Sequence, residues 1–169
     1  MEITTLSGLL RIGSVKELTR GIGLRVLRSM IIAGEDRLSY STIIRLVECT
    51  REHHWQKDIL SLSKDTQQLD SICKSLSADF KQPIFVGSEI LITYSITGVR
   101  RKSYNLRFQV HTESTKRPHS LIEMICVFYD PIMRKISTPP QSVISRLTEI
   151  QENDAARRDD GAFPNNIII

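Results

Sequence analysis

Residues 42–55, TIIRLVECTREHHW, read as the strongest helix of the chain. Ile43, Ile44, Val47 and the smaller Cys49 fall at helical spacing, with Arg45, Glu48, Arg51 and Glu52 interspersed. Ser39, Ser41 and Thr42 are candidate N-caps at its start, because a short side-chain oxygen can accept an amide hydrogen that the first turn leaves open. Downstream the period changes from helix to strand. Ser71 to Phe80 alternates around Ile72, Leu76, Ala78 and Phe80, and Gln82-Pro83 breaks it. Glu89 to Gly98 places Ile90, Ile92, Tyr94 and Ile96 on one strand face. Tyr104, Leu106, Phe108 and Val110 alternate cleanly with Asn105, Arg107, Gln109 and His111. Leu121 to Tyr129 is nearly all apolar, as for a strand covered on both faces. The short connections 98–102 and 114–119 imply antiparallel neighbours.

Upstream of the helix, LRVLRSMII at 24–32 has strand-like content between Gly23 and Gly34-Glu35-Asp36, and is the expected first strand. The residues before it, ending at Gly21 and Gly23, read as a short helix or loop. SLSKDTQQ at 61–68 reads as a loop. From Gln151 the sequence QENDAARRDDGAFPNNIII has no periodicity and reads as a mobile extension. The expected partition is a lead-in over 1–22, one domain over 23–150 and a flexible tail over 151–169. Strand, helix and a meander of four strands make an α+β pattern in which one antiparallel sheet wraps around one central helix.

Composition agrees with this and narrows the function classes. The 169 residues fit one domain with a real core, and 22 Ile against 5 Ala favour a pleated surface over helix. A net charge of +4 allows an anionic partner but is too weak to choose one. Nucleic acid is not expected, since aromatic residues, 6% of the chain, are not interleaved with the basic clusters. Cys49, Cys73 and Cys126 are odd in number and widely spaced, so they read as reduced core thiols without a disulfide framework. No apolar run approaches the roughly 18 residues of a membrane span. A cytoplasmic protein without a membrane partner is the expectation.

Three stretches carry a resemblance. The first is Ile44-Arg45-Leu46-Val47-Glu48-Cys49-Thr50-Arg51 with Trp55 after it. The second runs from Ser77 through Phe80, Pro83 and Gly87 to Glu89-Ile90, and the third from Tyr129-Asp130 through Arg134-Lys135 to Thr138-Pro139-Pro140 and Val143. Together they resemble the hot-dog fold, in particular the 4-hydroxybenzoyl-CoA-type acyl-CoA thioesterases, over about 24–150. The resemblance implies a homodimer, often paired into tetramers, with active sites at the subunit interface. It implies acyl-CoA or acyl-carrier-protein substrates, with coenzyme A entering only as part of the substrate. It also places the thioester near the helix N-terminus, where Tyr40 aligns with a Tyr whose amide polarises the carbonyl in one branch. The family's catalytic Asp, seven residues earlier, falls on Ala33, and the His or Asn of that loop is missing.

The chemistry then rests on neighbours. Glu35 and Asp36 are the nearest acids and the candidate general bases, against a reading as solvated turn residues beside Gly34. Tyr40 and Ser41 are the candidate oxyanion donors, because amides at a helix N-terminus are unpaired and lie at the positive end of the dipole. The resemblance also makes Glu48 a candidate base, since an acid on the central helix has that role in other hot-dog branches, but ordering neighbouring backbone or pairing with Arg45 or Arg51 is its simpler role. Arg100, Arg101, Lys102, Arg134 and Lys135, with Lys116 and Arg117, are candidates for gripping CoA phosphates or a carrier-protein face. Glu52-His53-His54 lacks metal-ligand spacing, so no metal is expected. Cys49 and His53 have the i, i+4 spacing of a nucleophile pair, but core packing of Cys49 is the plainer reading. An acyl-thioester hydrolase follows as the expected function. A hot-dog dehydratase or a non-catalytic acyl- or partner-binding protein stands as the alternative.

Overall fold

The computed structural model describes residues 15–18, 21–62, 69–112 and 117–159. Its elements are β1 (Val15–Leu18), β2 (Gly21–Arg25), α1 (Tyr40–His54), β3 (Asp70–Phe80), β4 (Glu89–Arg100), β5 (Ser103–Thr112), β6 (Ser120–Asp130), β7 (Lys135–Ile136) and α2 (Gln141–Asp159). The strands form one antiparallel sheet in the order β1-β2-β4-β5-β6-β3, with β7 paired to β6. β2 lies against the first half of β4, from Gly21↔Thr93 to Arg25↔Glu89. This sheet with the long helix α1 is the hot-dog arrangement that the helix and the meander imply, and α2, longer still, is a helix that the sequence reading does not expect.

By contact the chain divides into two compact units. The first holds the described residues of 1–53 with 78–94 and 108–122. Its helix buries Ile43, Leu46, Val47, Thr50 and Arg51, steps of three and four that put them on one face of α1. Ile44 and Cys49, expected on that face, are only half-buried, and Leu46 takes the place they were assigned. The second unit holds the described residues of 54–77, 95–107 and 123–169. There α1 passes into a π turn over Trp55–Ile59, and Trp55 stacks on Tyr104 at 6.0 Å and meets Phe128 at 6.1 Å. Aromatic pairs at such distances contribute roughly 0.5–1.5 kcal/mol each beyond their burial.

Several expectations need correcting. The strand expected over 24–32 ends at Arg25, and Arg28–Met30 make a 3-10 turn that leads into the loop before α1. The sheet begins earlier than the expected boundary at 23, since β1 and β2 pair from Val15↔Leu24 to Leu18↔Gly21. The strand covered on both faces is β4, where 90–96 are all buried, whereas β6 alternates at its start, with Glu123 and Ile125 exposed. Residues 151–159, read as tail, continue α2. Val143, Leu147, Ile150 and Asp154 form its buried face, and Asp154 Oδ2 accepts the Ile96 amide at 3.0 Å. That amide lies on β4 beyond Thr93, where the pairing with β2 ends. The rest of the expected tail, 160–169, and residues 1–14 of the lead-in lie outside the described residues, as do 63–68 of the expected loop.

Candidate active site

The first unit builds the region around the N-terminus of α1. Ser39 is the N-cap: its Oγ accepts the Thr42 amide at 3.1 Å and its carbonyl accepts the Ile43 amide at 3.1 Å. Its hydroxyl also lies 2.9 Å from both Ser41 Oγ and Thr42 Oγ1. Of the three hydroxyl residues expected near this end, Ser39 therefore does the capping. Tyr40 and Ser41 follow as the first two helical residues, and helix geometry gives their amides no intrahelical acceptor. Tyr40 is exposed and its ring stacks on Phe80 at 4.4 Å with 28° between planes. Phe85 and Val86 add exposed apolar surface on the neighbouring turn, and Ile32 on the loop before the helix.

The loop before α1 is tied to the segment before β4 by backbone hydrogen bonds. The Leu38 amide donates to Ile84 O at 2.8 Å, the Val86 amide to Asp36 O at 3.0 Å, and the Gly87 amide to Val26 O at 2.8 Å. Each side of this tie turns on one glycine. Gly34, at φ 89°, closes the turn in which the Glu35 amide donates to Ile32 O at 3.0 Å. Gly87, at φ 85°, closes the turn in which the Ser88 amide donates to Phe85 O at 3.3 Å. Residues with a Cβ avoid this region of backbone space.

The expected site residues fall into place as follows. Glu35 and Asp36 are exposed on this loop, and Ala33 is exposed in the Gly34 turn. The Glu35 carboxylate lies 3.8 Å from Arg37 Nε, and its carbonyl accepts from the Arg28 guanidinium. Glu48 is about two turns inside the helix, and its Oε2 accepts from Arg51 Nε at 2.8 Å. Arg51 is almost fully buried, so Glu48 is the carboxylate that balances an interior guanidinium. Cys49 is half-buried rather than core. Burial, then the Glu52 carboxylate, pushes its thiol up, the opposite of what an activated nucleophile needs. Cys73 is also half-buried, and only Cys126 is a core thiol. Among the described residues no group of three or more His, Cys, Asp or Glu could hold a metal ion.

Arg100, Arg101, Lys102, Arg134 and Lys135 all belong to the second unit and are all exposed. The structure brings them to one end of β6: Phe128 donates to Lys102 O at 3.2 Å, and Asp130 pairs with Lys135. Arg117 is exposed in the first unit, while Lys116 lies outside the described residues.

Sequence reading missed two features. One is the partnership of Tyr40 with Phe80, which unites two residues of separate motifs. The other is His119, whose amide donates to Val110 O at 2.7 Å and whose carbonyl accepts from Lys81 at 2.9 Å. Its Nδ1 lies 3.1 Å from Pro83 O, and its Nε2 lies 2.9 Å from Thr112 Oγ1. A carbonyl only accepts, so Nδ1 carries the hydrogen in that contact. The buried His119 thus brackets the turn that follows Phe80.

With this geometry in hand, comparison places the chain. Residues 37–147, well over half of it, match the model of the thioesterase-like superfamily, and the protein belongs to that superfamily. A hypothetical protein of Staphylococcus aureus solved in complex with CoA is similar at TM-score 0.69 and 13% identity, over 84% of this chain and 89% of that one. A 1,4-dihydroxy-2-naphthoyl-CoA thioesterase from Synechocystis is similar at TM-score 0.65 and 14% identity, over 78% and 96%. A thioesterase from Thermus thermophilus, complexed with coenzyme A and Zn, is similar at 0.65 and 14%, over 79% and 95%. At these identities the likeness shows the hot-dog fold. Among curated proteins, none matches.

Proposed function

We propose that this protein hydrolyses acyl thioesters at the N-terminus of α1. The observation that carries the reading is the Ser39 cap, which uses the Thr42 amide and leaves those of Tyr40 and Ser41 directed out of the first turn. Water attacks the thioester carbonyl carbon, and the oxyanion forms against these two amides. Glu35 or Asp36 takes the proton of the attacking water. The carbon–sulfur bond then breaks, and the thiolate leaves and is protonated, giving a carboxylic acid and a free thiol. The stacked rings of Tyr40 and Phe80 supply an apolar wall beside the carbonyl.

Superfamily membership and the CoA-bound neighbours support acyl-CoA as the substrate class, with an acyl-carrier protein as the other source of the same pantetheine thioester. The 4-hydroxybenzoyl-CoA-type branch is the proposed placement within the superfamily, on Tyr40 and the Glu48–Arg51 spacing. Arg100, Arg101, Lys102, Arg134 and Lys135 are the proposed phosphate contacts. A homodimer, or a dimer of dimers, is the proposed assembly.

One observation favours a second reading. Alanine at position 33 offers no base or nucleophile where the resembling branch has Asp, and a hot-dog protein that holds an acyl group without cleaving it would need none. Free-thiol release from a panel of acyl-CoA and acyl-carrier-protein thioesters separates the two. Turnover that falls in Glu35→Gln or Asp36→Asn supports hydrolysis with the assigned base. Binding of acyl-CoA without release of thiol from any member of the panel overturns it in favour of the non-catalytic reading.

A further inference from the structure

The end of β6 carries apolar side chains for which thioester hydrolysis has no use. Ile132 is 69% exposed, Met133 59% and Ile136 47%. Asp130 Oδ1 accepts the amides of both Ile132 and Met133 at 2.9 Å, which folds the chain into a tight turn at this point. Arg134 follows in the left-handed region at φ 50°, and Lys135 and Ile136 return along β6 opposite Asp130 and Tyr129. The β4–β5 turn lies beside the same strand end, through the hydrogen bond from Phe128 to Lys102 O. Arg100, Arg101, Lys102, Arg134 and Lys135 therefore flank Ile132, Met133 and Ile136 within one compact unit.

Single exposed apolar residues are common, but two at the tip of one turn and a third on the strand that leaves it, bordered by cations, form a patch with a definite chemistry. The phosphates of coenzyme A would take the cations and leave the aliphatic groups in water. An anionic bilayer surface takes both: apolar side chains enter the boundary between headgroups and acyl chains, and Lys and Arg remain among the phosphates. The two most exposed residues are neighbours at the tip, a shape suited to a fluid boundary, and the flanking charge has one sign except for Asp130, which is held by two amides.

We propose that the Pro131–Ile136 turn, with the basic β4–β5 turn beside it, docks the protein on anionic lipid surfaces. The expectation of no membrane partner rested on the lack of a spanning segment, and no helix among the described residues is long and apolar enough to cross a membrane. A peripheral contact of this kind needs none. Its cations are those proposed above for the CoA phosphates, so the two readings share residues, and vesicle binding read against turnover of soluble thioesters tells the failure of one from the failure of the other.

The test is co-sedimentation of the full chain with vesicles of phosphatidylcholine alone, or of three parts phosphatidylcholine to one part phosphatidylglycerol, at low and high salt. Binding is expected only to the anionic vesicles, weakening with salt. Ile132→Ser with Met133→Ser should weaken it about tenfold or more while thiol release from soluble thioesters is unchanged, and Arg134→Glu with Lys135→Glu should abolish it. Both substitutions lie at exposed positions, and circular dichroism confirms the fold. Equal binding to both vesicle types, no binding, or full binding by the serine variant overturns the proposal. So does a drop in molecular mass of the serine variant, which makes the patch a subunit interface, or capture of an acidic carrier protein through the patch without vesicle binding.

Discussion

Ser39 Oγ accepts the Thr42 amide at 3.1 Å, and this one contact decides which hydrogens remain open at the start of α1. The cap satisfies the third helical residue and leaves the first two. If the Tyr40 amide holds the oxyanion, removing its hydrogen must slow the chemical step, while removing the phenol ring should do less. Proline is tolerated in the first helical turn, and the N-cap residue before it already favours extended backbone. Tyr40→Pro is therefore expected to fold and to lose about 10²–10³ in kcat relative to Tyr40→Ala, the usual effect of one oxyanion donor. Equal rates in the two variants would remove the amide from the mechanism.

Phe80 meets Tyr40 at 4.4 Å, from the last residue of β3. Phe80→Ala removes one ring of the pair, and the expected loss is roughly 0.5–1.5 kcal/mol of ring–ring interaction. Read as kcat/KM for thiol release, that is a fall of about two- to tenfold, with Phe80→Tyr close to the parent. A larger effect in thermal stability than in turnover would make the stack a fastening of β3 and not a wall of the site.

The helix was legible because its inward face repeats every three or four residues, and β5 because its apolar residues alternate without exception. Where apolar runs are continuous, that signal disappears. LRVLRSMII contains both the end of β2 and a 3-10 turn, and nothing in its composition marks the change at Arg25. The same loss of contrast exchanged β4 for β6 as the doubly covered strand. α2 does not read as a helix at all, and its last nine residues read as a tail, because after Ile150 its next inward residue is Asp154, a carboxylate that sequence pattern assigns to solvent. The candidate site shows the same division. Tyr40, Ser41, Glu35 and Asp36 are local to one loop and helix start, so the resemblance of that short stretch is enough to single them out. The Tyr40–Phe80 stack and the His119 bracket join distant segments, and only the fold creates them.

Asp154 has a specific structural role in α2. Its carboxylate occupies the Ile96 amide in a buried setting, so Asp154→Ala leaves a donor without that acceptor. A lost partner of this kind costs about 1–3 kcal/mol. For a chain of this size each kcal/mol is roughly 2–4 °C in Tm, so a drop of about 2–12 °C is expected by circular dichroism. Truncation after Ile150 should be at least as damaging, and an unchanged Tm in both would return 151–159 to the status of a tail.

Glu48 separates catalysis from structure. Its contact with the buried Arg51 at 2.8 Å predicts that Glu48→Gln lowers stability by about 1–2 kcal/mol, since the amide keeps a hydrogen bond but not the charge and Glu52, 3.9 Å away, compensates in part. Turnover per folded molecule should stay within about twofold of the parent. A loss of a hundredfold without a change in Tm would move the general base from the Glu35–Asp36 loop to the helix.

His111 gives the fold a definite acid limb. Burial, and then the neighbouring His119, hold its pKa below the ordinary histidine range in the folded chain. The unfolded chain therefore binds a proton at higher pH than the folded one does, and stability is lost as pH falls through the unfolded value of about 6.5 toward the depressed folded one. The group contributes fully above that window and loses its contribution across it. Tm measured from pH 7.5 down to pH 5 should fall, and His111→Gln, which cannot take up a proton, should flatten the fall. The same slope in parent and variant would assign the acid sensitivity to other groups.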